Sequence, residues 1–199
     1  DWLLPVLDQF RRAWPEVDLD IRSSLALKAL PALQRGQVDM VISSDPEDMA
    51  DVTFQPLFDY APTMVVAASH PLAAKGYAEP ADLAGETLIT YPMERARLDV
   101  FSQFLDPAGI EPAHVRQVEQ TAIALMLIAS GRGVAVMPDW VLRAQAGNPE
   151  LVRLPLGRNG LLRRLYAAVR TEDLHQPYMA HVLRLARTEP VRLMRAMQA

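Results

Sequence analysis

Apolar and polar positions alternate along the chain with periods that switch between helical and extended. Leu3, Val6, Leu7, Phe10 and Trp14 recur at helical spacing, Asp8, Gln9, Arg11 and Arg12 lie elsewhere, and Pro15 ends the run. Val17-Asp18-Leu19-Asp20-Ile21-Arg22 then alternates strictly, which predicts a strand with one buried face and with Asp18 and Asp20 on its solvated side. Ser23 and Ser24 end that strand and cap a helix that closes at Gly36. Pro31 delays the regular turns of this helix and leaves an irregular turn after Ser24, where free amides would seat an anion.

The run Val38-Asp39-Met40-Val41-Ile42 is nearly continuous in apolar character, as expected of a strand buried on both faces, and it ends in Ser43-Ser44-Asp45-Pro46. Two more strands follow over 52–60 and 64–68. A polar, proline-bearing connection over 73–85, with a helical turn at Pro80-Ala81-Asp82-Leu83, then leads into the strand Thr87-Leu88-Ile89-Thr90. After Tyr91-Pro92 the residues Leu98, Phe101, Phe104 and Leu105 predict the apolar side of a helix that stops at Gly109. Beyond it come a strand over 113–119 and a helix from Thr121 to Ser130 that is apolar nearly all round, and is therefore buried in the core or against another chain. Gly131-Arg132-Gly133 follows a helix and precedes a strand, the reverse of the order a phosphate loop requires, and reads as a turn. Strands over 134–137, 151–156 and 162–170, a short helix over 138–146 and a last helix from about Gln176 complete a three-layer α/β pattern.

The junction at Tyr91 carries the most chemistry. A strand hands over to a helix there, and ligands of open α/β sheets bind beyond the carboxyl ends of the strands. Thr90, Tyr91, Arg95 and Arg97 stand at that end. Arg95 lies four residues before Asp99, so it is either an exposed helix partner of that carboxylate or a pocket residue. Arg97 precedes the apolar stripe, and its planar guanidinium suits a bidentate grip on a carboxylate.

Composition narrows the choice of function. The 199 residues are 50% hydrophobic and 22% charged, with a formal net charge of -4, which is ordinary globular composition and argues against a nucleic-acid surface over the whole chain. There is no cysteine, so disulfide and thiolate chemistry are excluded. His70, His114, His175 and His181 show no metal-ligand spacing. No membrane span, cofactor loop or nucleophile with an activating base stands out, so neither an enzyme nor a cofactor is expected.

Four segments carry a family resemblance: Phe10-Arg11-Arg12-Ala13-Trp14-Pro15-Glu16-Val17, Gln34-Arg35-Gly36-Gln37-Val38-Asp39-Met40-Val41-Ile42, His70-Pro71-Leu72-Ala73 and Gly131-Arg132-Gly133-Val134-Ala135-Val136-Met137-Pro138. Together with the order of elements they resemble the effector-binding domain of LysR-type transcriptional regulators over almost the whole chain. Tyr91-Pro92, Arg95, Arg97-Leu98-Asp99-Val100 and Arg164-Leu165-Tyr166-Ala167-Ala168-Val169-Arg170 look like the methionine-pathway branch of that family, whose effector is homocysteine.

The resemblance implies an α/β fold of two Rossmann-like subdomains joined by two crossing strands, like type II periplasmic binding proteins, with the effector in the cleft. Subdomain I would comprise residues 1–68 and 171–199 and subdomain II residues 69–170. An N-terminal helix-turn-helix domain, absent from these residues, would make all the DNA contacts. The implied effector residues are Ser23, Ser24 and Leu25, Ser43 and Ser44, Thr90 and Tyr91, and Glu119 and Thr121, joined by Arg95 and Arg97 from the reading of the junction. The implied assembly is a cytoplasmic homodimer or tetramer built through the first helix and the Thr121 to Ser130 helix, without membrane contact. Homocysteine is the expected ligand; another small carboxylate, or a stand-alone solute-binding protein of the same fold, are the alternatives.

Overall fold

The computed structural model describes residues 2–22 and 29–196, leaving aside the side chains of 144 and 191–196. The chain divides into two compact units, Asp1–Asp59 with Arg164–Ala199, and Tyr60–Arg163. It leaves the first unit in one strand and returns in another, so two strands carry the connections.

The first unit holds a three-stranded sheet in the order β1 (Met40–Ser43), β8 (Arg163–Arg170), β2 (Val52–Tyr60), with β1 antiparallel to β8. Helix α1 (Leu3–Ala13) buries Val6 and Phe10. Trp2, just ahead of it, meets the edge of Phe58 at a centroid distance of 5.1 Å. The indole of Trp14 donates to His181 Nδ1 at 2.9 Å and so ties the end of α1 to α5 (Pro177–Ala196). Helix α2 (Ala29–Gln34) ends as its glycine predicts. Gly36 adopts φ +69, its N–H reaches Leu33 O, and the N–H of Gln37 reaches Ala32 O, which satisfies the last carbonyls. The Arg170 guanidinium adds donors to Leu33 O and Val38 O, which fastens α2 to β8.

The second unit is built on a five-stranded mixed sheet in the order β5 (His114–Gln117), β4 (Thr87–Thr90), β6 (Val134–Pro138), β3 (Pro62–Ala67), β7 (Leu151–Pro155). β4 runs parallel to β5 and β6, while β3 is antiparallel to β6 and β7. Neighbouring residues feed opposite faces. Met64, Val66 and Leu88 join one core with Leu83, Phe101 and Leu105, and Val65 and Ile89 join another with Leu125, Ile128 and Met137. Helix α3 (Thr121–Ala129) covers the second face with Ala124, Leu125 and Ile128, and α4 (Asp139–Leu142) adds Leu142. The outward side of α3 leaves Ile123 41% and Met126 64% exposed. Gly133, at φ +144, brings the turn against β4 so closely that a Cβ there would collide with the carbonyl of Thr87.

Two expectations fail. Val17 to Arg22 alternates but pairs with no described strand; Val17 and Leu19 are half-buried and Ile21 is 57% exposed. Alternation marks a two-faced segment, and a strand needs a ladder partner as well. The segment after Tyr91 is not a regular helix: a 3₁₀ turn at Arg95–Arg97 precedes a π-helix at Val100–Leu105 and a further 3₁₀ turn at Asp106–Ala108. The wider π turn buries Val100, Phe101 and Leu105, and the predicted Leu98 and Phe104 pack partly buried against the same core, so the apolar side holds while the helix type differs.

Candidate functional site

Because β4, β5 and β6 are mutually parallel, their carboxyl ends lie together, and they present Thr90 with Tyr91, Val118 with Glu119, and Met137 with Pro138. The N–H of Val118 donates to Thr90 O at 2.8 Å, so the ladder continues past the last paired residues. Three residues later the chain starts α3 at Thr121, whose hydroxyl shares a 2.7 Å hydrogen bond with Tyr91 Oη. Gln120, at the N-cap of α3, makes no side-chain cap. The first-turn amides of a helix are donors without intrahelical partners and carry the positive end of its dipole, so this junction suits an anion.

Beneath Tyr91 lies a cavity of about 20 Å³. Ile89, Thr90 and Tyr91 line it from β4 and its end, Leu98 and Val100 from the irregular helix, Ala124 from α3, and Val136 and Met137 from β6. Its walls are apolar apart from Tyr91 and Thr90. Thr90 is only 8% exposed, and its Oγ1 is buried without a hydrogen-bond partner. Such a hydroxyl costs about 1 to 3 kcal/mol and calls for a reason.

The wall formed by Leu98 and Val100 is held by the residue between them. Asp99 accepts a hydrogen bond from Tyr60 Oη at 2.6 Å on one oxygen and from Arg163 Nε at 2.9 Å on the other. Both members of the ion pair are largely buried, with side chains 13% and 18% exposed. Charge-assisted bonds of this kind are the strong ones. No spacing in the sequence points to them, because the partners lie 39 and 64 residues away. Just past the carboxyl end of β6, Asp139 Oδ1 accepts the N–H of Ala61 at 3.1 Å and the Asp139 N–H returns to Ala61 O, which fastens the start of α4 to the start of β3.

The structure gathers Thr90, Tyr91 and Thr121 at one point, with the exposed Glu119 just before α3. The other expected residues have surroundings of their own. The Arg95 guanidinium lies 4.0 Å over the ring of Phe101 and is gripped by Asp106 and Glu111, not by Asp99. Its hydrogen bonds to Asp106 first and to Glu111 second push its pKa further up, and both acceptors are carboxylates of this chain. Arg97 is half-buried at the end of the same turn. Ser43 and Ser44 stand at the end of β1 in the other unit, where Ser43 Oγ bonds the backbone of Asp45 and Ser44 Oγ bonds its carboxylate. Ser23, Ser24 and Leu25 lie outside the described residues. Among the described residues no group of three or more His, Cys, Asp or Glu side chains is placed to hold a metal ion, and no helix is long and apolar enough to cross a membrane.

Residues 1–190 match the LysR substrate binding domain family. Over 186 residues the chain is 41% identical to the HTH-type transcriptional regulator MetR of Escherichia coli (strain K12), which covers 94% of this chain and 58% of that protein. It is 36% identical over 179 residues to MetR of Haemophilus influenzae, again covering 58% of the relative. The chain therefore spans a little over half the length of these relatives. Among solved structures, the regulatory domain of MetR, a LysR family regulator from N. meningitidis, superposes with a TM-score of 0.88 at 36% identity, covering 96% of this chain and 88% of that one. The BenM effector binding domain with its effector benzoate, at 22% identity and a TM-score of 0.72, shares the fold.

Proposed function

The chain belongs to the LysR substrate-binding-domain family, and from that premise we propose that it is the sensing domain of a MetR-like transcriptional regulator that responds to homocysteine and controls methionine-biosynthesis genes. The observation that carries this reading is the Tyr91–Thr121 hydrogen bond where the β4 carboxyl end meets the α3 amino end. The effector's carboxylate binds the first-turn amides of α3 and the two hydroxyls beside them. Its ammonium faces Glu119, the exposed carboxylate just ahead of the helix.

The magnitudes are sufficient. Homocysteine has about eight heavy atoms, and a micromolar site requires about 8 kcal/mol, well inside the ceiling of about 1.5 kcal/mol per atom. Two charge-assisted contacts of about 1.5 to 3 kcal/mol each supply much of it. Signalling follows from position. α3 carries the ligand contact at Thr121 and, along the same helix, the exposed apolar residues Ile123 and Met126. A ligand that orders the first turn of α3 biases a homodimer or tetramer formed through α1 and the 121–130 helix, by as much as its affinity differs between the two states. In the cell this is a cytoplasmic event, with DNA contacted through a helix-turn-helix domain of the kind for which the relatives are named.

Isothermal titration of this chain with L-homocysteine, with methionine, cysteine and homoserine alongside, tests the proposal. Saturable binding at micromolar concentration is the expected result. An absence of homocysteine binding removes the effector assignment and leaves the family membership standing.

A further inference from the structure

We infer that the cavity beneath Tyr91 receives the end of the effector's side chain, and that Thr90 selects a ligand ending in one small hydrogen-bonding group, a thiol or a hydroxyl. This rests on the small amino acid proposed above as ligand and adds which part of it is read, and by what.

Thr90 supplies the first reason. A threonine that is 8% exposed, with an Oγ1 that finds no partner, lines an otherwise mostly apolar cavity. An apolar strand end would have been served by valine at lower cost, since a buried hydroxyl without a partner is destabilising. A ligand group that donates to or accepts from Oγ1 removes that penalty on binding.

Size supplies the second. The cavity volume of about 20 Å³ exceeds the roughly 10 to 15 Å³ needed for one water-sized group. A terminal thiol or hydroxyl fits this volume. A methyl thioether adds a whole methyl group, more than a volume of this size takes.

Register supplies the third. Thr121 stands at the first turn of α3 and Ala124, three residues further on, lines the cavity, so the helix passes from the anion-binding amides to the cavity wall in about 4.5 Å of rise. A side chain of two carbons and one terminal heteroatom is comparable in length to that rise, and a one-carbon side chain is shorter.

Titrations of the parent, Thr90→Val and Val136→Ile with L-homocysteine, L-homoserine, L-2-aminobutyrate and L-methionine test this. L-2-aminobutyrate keeps the carboxylate and ammonium but has no terminal heteroatom, and L-methionine carries a methyl group beyond its sulfur. The expected result is that the parent binds homocysteine or homoserine about tenfold more tightly than either of the other two. Thr90→Val removes that preference by weakening the first pair about tenfold, with 2-aminobutyrate unchanged. Val136→Ile keeps the hydroxyl and narrows the cavity, so it also weakens the first pair selectively, and it serves if Thr90→Val does not fold. Homoserine binding that depends on Thr90, without homocysteine binding, removes the homocysteine assignment and upholds this inference. Homocysteine binding that is equal in the parent and both variants, or equal to that of 2-aminobutyrate, overturns the inference while the homocysteine assignment stands. If none of the four binds, both are overturned.

Discussion

Two strand ends in this protein look alike in sequence and differ in chemistry. The carboxyl end of β1 carries Ser43-Ser44 and that of β4 carries Thr90-Tyr91, both polar after an apolar run. At β1 the hydroxyls are consumed locally: Ser43 Oγ accepts the N–H of Asp45 at 3.1 Å and Ser44 Oγ donates to the Asp45 carboxylate at 3.2 Å. At β4 the Thr90 hydroxyl is buried and unpartnered, and Tyr91 reaches across to the start of a helix. The two ends thus differ in the hydrogen-bonding capacity left over, and a sequence displays the capacity but not what consumes it.

The largest expected effect breaks the support of the β4 end. Asp99→Ala removes the carboxylate shared by Tyr60 and Arg163 and leaves a largely buried guanidinium without it, which costs about 3 kcal/mol in urea unfolding. Because Asp99 stands between Leu98 and Val100, homocysteine affinity falls in the same variant. A variant as stable as the parent would show that the wall is held by packing alone. Tyr91→Phe is next: it removes one hydroxyl at the α3 start and weakens homocysteine binding about fivefold in calorimetry, with little change in stability. Ser43→Ala sharpens the contrast from the other side. It lowers stability by about 0.5 kcal/mol, through loss of the turn bond to Asp45, and changes affinity less than Tyr91→Phe does. An affinity loss larger than that of Tyr91→Phe would make the two strand ends equivalent and end the distinction drawn above.

The fold was largely legible because its elements announce themselves by period. The nearly continuous apolar runs of β1, β3, β4, β6 and β8, the helical spacing of α1 and the glycine ends all appear where the chain pattern places them. The misses have separate physical causes. The 17–22 segment has the alternation of a strand without a neighbour to pair with among the described residues. The π-helix at Val100–Leu105 shares its composition with an α-helix, and its wider turn is set by what packs against it rather than by local propensity. In the candidate site, Thr90 and Tyr91 could be picked out because they sit at an element boundary, whereas Thr121 is named through the family resemblance. Arg95 and Asp99, four apart, invited pairing with each other, yet Arg95 found carboxylates 11 and 16 residues on and Asp99 found partners 39 and 64 residues away. Charge partners chosen by tertiary proximity leave no trace in spacing, and the same holds for the unsatisfied hydroxyl of Thr90.

The smallest effect uses pH to separate carboxylates from hydroxyls. Serine and threonine hydroxyls at the two strand ends do not titrate in acid, so any loss of stability there belongs to groups such as Asp82. Burial pushes the pKa of Asp82 up, but hydrogen bonds from the Lys75 ammonium, at 2.7 and 2.8 Å, and from the Glu79 N–H, at 2.7 Å, outweigh it and hold the carboxyl below its ordinary 3.8. A carboxyl with a depressed folded pKa contributes stability that is fully present above its unfolded value and is lost as the pH falls through the folded one. Asp82→Asn therefore lowers the melting temperature by about 2 °C at neutral pH, and the gap between parent and variant closes below about pH 4. A gap that stays constant from pH 7 to pH 3 would assign the effect of the substitution to weaker capping of the 3₁₀ turn at Pro80–Leu83 rather than to the charge facing Lys75.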